Sequence, residues 1–379
     1  MDLQYDTEHT ILRDGAEKYL AGRYDYRTYQ KIAESEAGWD SDVWTEFAEL
    51  GWLGLPFADE DGGIGGGPVE VAVLMETLGK SLVLEPYVPT VILGGGIVSA
   101  LGSPSQRQLI LPAVAEGKLR LAFAIEDRGT PVQAKKASGG YVLSGAKKMV
   151  LGAPMADTIL VSAKMGGGVG VFVVPAETRG LVVRPYRMVD GGRAADIEMV
   201  DVSLPSSALL GNNESAGATI ELTIHRAIGA LSADAVGAIS SLVAATVEYT
   251  KTRVQFGQPL AKFQVLQHRM VDMKVKEEEA RASCLFATLS LDGPTDRRAR
   301  AVSGAKAKIG RAGRSVSQSA IQLHGAIGTT NELSIGGYTK RLIAYELLFG
   351  STREHLRRYA SIISDPAVAS AGLLSAPAN

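Results

Sequence analysis

YTKTRVQFGQPLAKFQVLQHRMVDM, from Tyr249 to Met273, holds the end of one helical pattern, a short connection and the start of the next. The connection FGQPLAKF contains a Phe-Gly pair and a proline, which are typical of a tight turn. Because so short a connection favours antiparallel packing of the helices it joins, the C-terminal part of the chain is predicted to be a helical bundle.

Outward from this segment, the spacing of apolar residues divides the chain into three parts. Up to about residue 120 they recur at helical spacing, as at Leu74 and Leu78. Short β-rich runs then follow, among them LAFAI, YVLSG, TILVSA, GVFVVPA, LVVRPY and IEMVDVSL. Helical spacing returns after Gly211. We predict an α+β fold with an N-terminal helical domain (1–120), a middle β-barrel or sandwich domain (121–210) and a C-terminal four-helix bundle (211–379).

Charge, cysteine and histidine content exclude several classes of protein. The 39 basic and 41 acidic side chains give a net charge of −2, and no stretch concentrates basic residues, so no nucleic-acid partner is expected. The single cysteine, Cys284, rules out a disulfide framework and is interpreted as a small core residue. The five histidines include no pair at His-x-x-x-His spacing, so no metal is expected.

Two segments bear on export and membranes. The amino terminus MDLQYDTEHTILRDGAEKYL is acidic and amphipathic and lacks the features of a secretory signal, which predicts a cytoplasmic protein. Residues Tyr87 to Leu101, YVPTVILGGGIVSAL, are the most apolar, but proline and glycine interrupt them and they are shorter than the ~20 residues of a membrane span. We predict a buried helix here and no membrane span.

A second motif, QLHGAIGTTNELSIGGYTKR, runs from Gln322 to Arg341. With the Arg, the Phe-Gly pair and the following Gln of Tyr249–Met273, it resembles segments of the acyl-CoA dehydrogenase family. Softer matches in the same order extend the resemblance over nearly the whole chain: LGWLGLPFADEDGGIGG, ILPAVAEGKLRLAFAIED, LSGAKKMVLGAPMADTILVSA and GGRAADIEMVDVSLPSSALLG.

The resemblance implies a cofactor, a substrate and partners. Members of the family bind FAD between the β domain and the bundle, and oxidise an acyl-CoA thioester at its alpha and beta carbons. The bundle of one subunit lends Arg and Gln residues to the FAD of its neighbour. We therefore expect a homo- or hetero-oligomer, a dimer or tetramer, with electron-transfer flavoprotein or a similar protein as acceptor.

The residues at the family's cofactor positions have suitable chemistry. A pyrophosphate suits a cation with several donors, and Arg253 offers a planar fork, while Gln264 and Gln322 are amide donors. Gly325 and Gly328 would let the backbone approach a dinucleotide. The predicted cofactor-binding residues are Arg253, Phe256, Gln264, Gln322, Gly325, Thr352, Glu126 and Leu151.

The catalytic base of the family is missing. Its usual glutamate position, in a Tyr-Glu-Gly-Thr segment, is Gly350 here, and the alternative position on the first bundle helix is Ala227. The neighbouring arginine position is Ile228, although Arg226 lies close and is assigned to the substrate side. Since the chemistry requires a base within hydrogen-bond reach of the alpha proton, the catalytic residue is unknown. Glu346 and Glu354, one helical turn either side of Gly350, are candidates, with surface charge as the alternative interpretation of both.

Two hydroxyl contacts to the flavin are also missing, because Ile125 and Leu151 stand where the family has hydroxyl side chains. The residues lent to a neighbour are present, whereas those needed for the chain's own chemistry are reduced. This pattern resembles the smaller or second subunit of heteromeric family members, such as pimeloyl-CoA dehydrogenase and the paired enzymes of steroid side-chain breakdown.

Three functions stay open at this point. The first is an acyl-CoA dehydrogenase, active alone or within a heteromer. The second is a catalytically silent scaffold subunit that completes a partner's FAD site. The third is a flavin monooxygenase or oxidase on the same fold.

Overall fold

The computed structural model describes residues 6–212 and 215–365, and within them the chain forms two compact units. The helical unit holds described residues of 1–31, 68–83 and 228–369, and the sheet unit holds 32–67 and 84–227. Helices, a sheet and long helices follow one another along the chain, which confirms the predicted α+β fold. The domain bounds stay a prediction, and the tail after Asp365 lies outside the described residues.

The three longest α-helices follow the sheet in the chain. The longest, Gly217–Thr252, has 36 residues, more than twice the length of any α-helix before the sheet. The α-helices are α1 Thr7–Arg23, α2 Tyr26–Glu34, α3 Ser41–Glu49, α4 Pro68–Lys80, α5 Gly96–Leu101, α6 Pro104–Ala115, α7 Gly217–Thr252, α8 Gln264–Thr288, α9 Thr295–His324, α10 Ile335–Leu347 and α11 Thr352–Ser364.

The sheet unit contains a seven-stranded sheet in the order β1-β4-β2-β3-β7-β6, with β5 paired to β4 outside that path. The long strands β3 and β7 pair antiparallel, whereas β1 and β4 are parallel. The strands are β1 Leu121–Ala124, β2 Gln133–Ala137, β3 Gly140–Leu151, β4 Thr158–Met165, β5 Gly168–Pro175, β6 Leu181–Arg187 and β7 Arg193–Pro205, and a small ribbon is formed by β8 Val254–Gln255 and β9 Gln258–Pro259.

The apolar runs predicted as strands are confirmed as β1, β3, β4, β5, β6 and β7. Their inward side chains build one core, in which Val161 and Phe172 are fully buried and Ile197 is nearly so. Strand β2, with the sequence QAKKA, was not predicted, because it has charged side chains and four of its five residues are exposed. Its pairing with β3 and β4, not its own apolar pattern, makes it a strand.

Two glycines allow α4 and α7 to approach closely. A Cβ on Gly79 would lie 2.0 Å from the Asp234 carbonyl oxygen, and one on Gly237 would lie 2.0 Å from the Glu76 carbonyl oxygen. Gly79 fits a C-cap by sequence, but that interpretation is wrong. Helix α4 continues through it to Lys80, whose carbonyl accepts hydrogen bonds from Ser241 Oγ and Tyr338 Oη at 3.2 and 2.6 Å.

The predicted buried helix over 87–101 is confirmed. Val88–Gly95 form a π-helix that continues into α5, and Val91 and Ile97 are fully buried. Among the described helices, α7 is long and apolar enough to cross a membrane by length and composition. However, 83% of its apolar window is buried within the protein, as in the core helix of a folded domain.

Cys284 lies on α8 and is 6% exposed, so the predicted core position is confirmed. Burial raises the pKa of its thiol to about 12, which keeps the thiol protonated at neutral pH.

The close approach at Gly237 predicts that an added methyl group destabilises the protein there, whereas one at an open glycine does not. Gly237→Ala should lower the free energy of unfolding by at least ~2 kcal/mol, because a methyl group must force two backbones apart. Gly15→Ala on α1, where a Cβ would meet nothing within 4 Å, should raise it by about 0.5–1 kcal/mol. Urea unfolding of both variants measures this, and equal stability of Gly237→Ala and the parent would contradict the packing.

Candidate functional site

The connection after α7 projects two of the predicted cofactor residues into solvent. Arg253 follows the last residue of α7 and is exposed, and Phe256 is 89% exposed at φ +54°. Leu260 N donates to Arg253 O at 2.9 Å, which closes the connection around the β8–β9 ribbon. A large aromatic held in a left-handed conformation on the surface is a costly arrangement unless a partner covers it.

Gln264 begins α8 directly after this ribbon and is exposed. Its neighbour Val265 is 72% exposed, so the polar amide lies beside uncovered apolar surface. Arg253, Phe256 and Gln264 therefore line one connection on the surface of the helical unit.

The second motif lies at the end of α9. Gln322 is exposed in the last turn, and Gly325 follows with φ +67° and ψ −146°, a conformation that favours glycine. A Cβ at Gly325 would meet nothing within 4 Å, so the space above its backbone is open.

A stacked pair of rings brings the two motifs together within one chain. The Tyr249 ring stacks on the His324 ring with centroids 4.3 Å apart and an interplanar angle of 25°. Tyr249 Oη donates to His324 O at 3.3 Å, and His324 Nδ1 lies 2.8 Å from Ala320 O. Burial lowers the pKa of His324, so the ring is neutral at pH 7. Because Tyr249 is one turn before Arg253 and His324 two residues after Gln322, this contact brings the end of α7 close to the end of α9.

The exposed groups of the two motifs have the chemistry to bind the pyrophosphate of a dinucleotide. Among the described residues, none forms an ion pair with the exposed Arg253 guanidinium, so its fork remains available for phosphate. The open backbone at Gly325 and the exposed amides of Gln264 and Gln322 add neutral donors. We name Arg253, Phe256, Gln264, Gln322 and Gly325 the lending surface.

The position of the missing base is the turn between α10 and α11. Phe349 and Gly350 both have positive φ, +55° and +102°. His355 is fully buried behind the turn, with Nε2 2.8 Å from Phe349 O. A Cβ on Gly350 would lie 3.0 Å from that same nitrogen. The imidazole therefore occupies the space into which a side chain at position 350 would begin.

The two candidate carboxylates near this turn stabilise the start of α11. Thr352 Oγ1 and N donate to Glu346 at 2.6 and 3.1 Å. Ser351 Oγ and N donate to Glu354 Oε2, both at 2.7 Å, in a capping box that lowers the pKa of Glu354. The Thr352 hydroxyl, predicted to contact the cofactor, is thus already paired within the chain.

A buried lysine that the sequence did not reveal lies under the same turn. Lys306 on α9 is fully buried, donates to Tyr345 O and has Nζ 4.1 Å from the centroid of the Tyr345 ring. Burial lowers its pKa to about 8. Tyr345 Oη in turn lies 3.0 Å from Ser232 Oγ. The only sequence signal was a lysine next to Ala305 in the apolar stripe of α9.

A second buried lysine, Lys147, lies beside Glu126, one of the predicted flavin positions of the sheet unit. Lys147 Nζ donates to Ile125 O at 2.9 Å and Ser162 Oγ at 2.8 Å, and pairs with Asp127 at 2.8 Å. Burial lowers the pKa of Lys147, while Asp127 acts in the opposite direction. The carbonyl before Glu126 is therefore held by a charged donor, although Ile125 itself offers no hydroxyl.

Glu126 and Leu151 lie on neighbouring parts of the sheet unit. Glu126 is half-buried, its carboxylate 3.6 Å from Lys148 Nζ, and its carbonyl accepts from Lys148 N at 2.9 Å. Leu151 is half-buried and pairs with Ala194 after an irregularity in β3, where Met149 has φ +50°. At these positions the chain can offer backbone groups, but no side-chain hydroxyls, to a flavin ring.

The alternative base position on α7 has no carboxylate. Ala227 is fully buried, and Arg226 beside it is half-buried. His225 is also fully buried and its Nε2 lies 3.7 Å from Glu221, one turn earlier. The sequence pattern did not show that Glu221 would be buried, at 8% exposure, on this stretch.

The chain is similar in sequence to known proteins over nearly its whole length. Family models described as the N-terminal, middle and C-terminal domains of acyl-CoA dehydrogenase match residues 6–118, 126–203 and 218–363. The acyl-CoA dehydrogenase FadE12 of Mycobacterium tuberculosis is 30% identical over 349 residues, covering 86% of this chain and 88% of the relative.

Two solved structures have the same fold. A variant of the Tcur3481-Tcur3483 steroid ACAD matches with a TM-score of 0.86 and 29% identity, over 95% of this chain and 98% of that chain. The ChsE4-ChsE5 complex from Mycobacterium tuberculosis matches with a TM-score of 0.90 and 23% identity, over 96% and 99% of the two chains. At the latter identity, the likeness shows the fold alone.

Substitution at the empty base position should be costly. Gly350→Ala is expected to lower the free energy of unfolding by about 1–3 kcal/mol, since both the left-handed backbone and the contact with His355 oppose a side chain. Gly129→Ala, at φ +81° with nothing within 4 Å, carries the backbone cost alone and should lose less. Chemical denaturation compares them, and an equal loss in both would argue against the steric role of His355.

The buried His355 should make stability depend on pH. Burial lowers its pKa to about 4 in the folded protein, below the unfolded value near 6.5. Its contribution is therefore fully present above about pH 6.5 and is lost as the pH falls through about 4, by up to roughly 3 kcal/mol.

His355→Gln retains a donor for Phe349 O and does not titrate, so its free energy of unfolding should fall less steeply from pH 7 to 4 than that of the parent. Urea unfolding across this range gives the slopes. His268→Gln, on the exposed face of α8, is the matched control and should retain the parental slope. A parental slope in His355→Gln as well would exclude this histidine as the titrating group.

Proposed function

The chain belongs to the acyl-CoA dehydrogenase family, and we propose that it acts as one subunit of a heteromer, lending its helical unit to the FAD of a partner. It is an oxidoreductase of acyl-CoA thioesters with FAD as cofactor. The heteromeric proposal rests on one observation. The lending surface has all of its predicted residues, whereas the base positions Gly350 and Ala227 have no carboxylate.

Bound FAD supplies an electron sink for the hydride that leaves the beta carbon of the substrate. The residues of this chain can bind and orient it. Arg253 offers two parallel donors to a phosphate, and Gln264 and Gln322 offer neutral donors beside it. At Gly325 the backbone is open to a close approach of the dinucleotide. Phe256, 89% exposed, would be covered by the partner in the assembly.

The chain's own active site lacks a proton acceptor at the family positions. Gly350 and Ala227 have no carboxylate, and the carboxylates nearest Gly350 accept hydrogen bonds at the start of α11. A group that accepts the alpha proton has to lie within hydrogen-bond reach of it. We therefore assign proton abstraction to the partner subunit, and Arg226 of this chain to the substrate side.

Exposed apolar side chains on the helical unit support an oligomer. Large apolar residues on or beside four of its elements are between 44% and 72% exposed, and their burial against another subunit would remove them from water. They are Val254, Val265, Val271, Val275, Phe286, Leu289, Ile343, Leu347 and Ile363.

The similar proteins support the same assignment and suggest the class of substrate. The Tcur3481-Tcur3483 protein is described as a steroid ACAD and carries two chain names, at 29% identity to this chain. We extend this to fatty-acid or steroid side-chain degradation in the cytoplasm, with an electron-transfer flavoprotein as the acceptor. The relatives are named as dehydrogenases, which supports dehydrogenation by the assembly over the monooxygenase or oxidase alternative.

The lending surface predicts that removal of its arginine reduces the amount of FAD that the assembly retains. The chain is co-purified with a candidate partner, and bound flavin is measured per chain. Arg253→Ala should weaken FAD binding roughly 10- to 100-fold, because a charge-assisted hydrogen bond contributes about 1.5–3 kcal/mol. Arg269→Ala, at an exposed arginine on α8 outside the lending surface, is the control and should retain flavin.

Anaerobic addition of acyl-CoA should bleach the flavin of the assembly and leave the lone chain inactive. Full flavin occupancy and turnover by the lone chain would disprove the heteromeric proposal, whereas absence of flavin with every partner would disprove cofactor lending.

A further inference from the structure

A small cavity lies between α4, α7 and α8 in the helical unit and has a volume of about 160 Å³. Most of its wall is apolar or carries small side chains, and each of the three helices contributes to it. The described residues that line it include none of the lending surface. The apolar and small wall residues are Val69 and Ala72 on α4, Ala233 and Val236 on α7, and Cys284 and Leu285 on α8.

The cavity lies beside the close contact of α4 with α7. Gly79 and Gly237 bring these two helices into backbone contact, and Glu76, whose carbonyl lies at this contact, also lines the cavity. Ala72 is one turn before Glu76, and Ala233 is one turn before Gly237. Both extend only a methyl group, so the side chains do not fill the space between the helices, while the glycine contact holds two of its walls in place.

The cavity is separate from the positions that the family uses for a catalytic base. Val236 follows Ala227, the alternative base position, by nine residues on α7. At about 100° per residue, this places the two side chains on opposite sides of the helix. A ligand in the cavity would therefore contact a face of α7 that is turned away from the base position.

The charged part of the wall is one ion pair, which is closed within the chain. Arg281 Nη1 donates to both carboxylate oxygens of Glu76, at 2.7 and 2.9 Å, and Glu277 lies 3.6 Å from the same guanidinium. A carboxylate in the cavity would approach Glu76, and an ammonium group would approach Arg281, while these two residues are already paired with each other. The wall therefore favours an uncharged ligand.

The volume limits the size of such a ligand. Apolar cavities of roughly 150 Å³ in proteins bind a molecule the size of benzene, whereas sites for drug-sized molecules have roughly 300–1,000 Å³. Cys284, with its thiol protonated at neutral pH, acts in this wall as a small apolar group. One ring with a short substituent matches both the volume and the apolar wall.

We propose that this cavity is a binding site for a small neutral molecule built on one ring, with about six to ten non-hydrogen atoms. Its ring would lie against the apolar side chains of the three helices. A single hydroxyl substituent can exchange hydrogen bonds with the Arg281–Glu76 pair, because one partner of the pair is a donor and the other an acceptor. This site requires neither flavin nor a partner subunit and lies outside the reaction of the family.

The test titrates benzyl alcohol into the full chain by isothermal titration calorimetry. We expect a Kd of about 1 mM or below. At such a Kd, about 10 mM benzyl alcohol should raise the ratio of folded to unfolded protein, measured by urea unfolding, by about tenfold.

A variant that fills the cavity should lose this binding. Ala72→Leu is expected to weaken it at least about tenfold, because the larger side chain takes the place of the ligand. Ala282→Leu adds the same groups at an exposed position on α8 that does not line the cavity, and should change the Kd by less than about twofold. Circular dichroism checks that both variants are folded.

Charged analogues test the proposal on the unmodified chain. Benzoate and benzylammonium carry the same ring and should each bind at least about tenfold more weakly than benzyl alcohol, because Arg281 and Glu76 are already paired. The proposal is overturned if benzyl alcohol does not bind at about 10 mM, if Ala72→Leu and Ala282→Leu have equal effects, or if either charged analogue binds as tightly as the alcohol. None of these measurements involves flavin, so their outcome is independent of cofactor lending.

Discussion

The proposed lending surface depends on one contact, the stacking of Tyr249 on His324. It joins the end of α7 to the end of α9, segments 75 residues apart in the chain. Both groups are anchored further, since His324 Nδ1 contacts Ala320 O and the Tyr249 hydroxyl contacts His324 O. The guanidinium of Arg253 and the backbone amides at Gly325 can bind one ligand only if the distance between them is fixed, which requires a contact of this kind.

Much of the fold followed from the period of the apolar residues, because burial on one face of a helix or strand leaves a readable pattern. The exceptions are places where partners decide the structure. The charged strand β2 exists because β3 and β4 pair with it. A glycine stands at position 79 within a helix because the close approach of α7 leaves no room for a side chain there. Such long-range contacts leave no local signal in a single sequence.

For the site, the resemblance predicted which residues the chain would present, and the structure places Arg253, Phe256 and Gln322 at the surface. Their roles stay a prediction. The buried Lys147 and Lys306 were not predicted, because a lysine in an amphipathic pattern is normally read as surface. Whether it is buried depends on carbonyls and hydroxyls brought in by other elements, such as Ile125 and Ser162 around Lys147.

The burial of Lys306 has a chemical consequence for a protein that handles activated thioesters. An amine with a pKa of about 8 is partly deprotonated under physiological conditions, and a neutral amine is a nucleophile that could capture an acyl group from a thioester. The complete enclosure of Lys306 by α9 and α10, with Nζ bound to Tyr345 O and covered by its ring, withholds that nucleophile from solvent. The packing beneath the turn thus keeps this amine away from thioesters in solution.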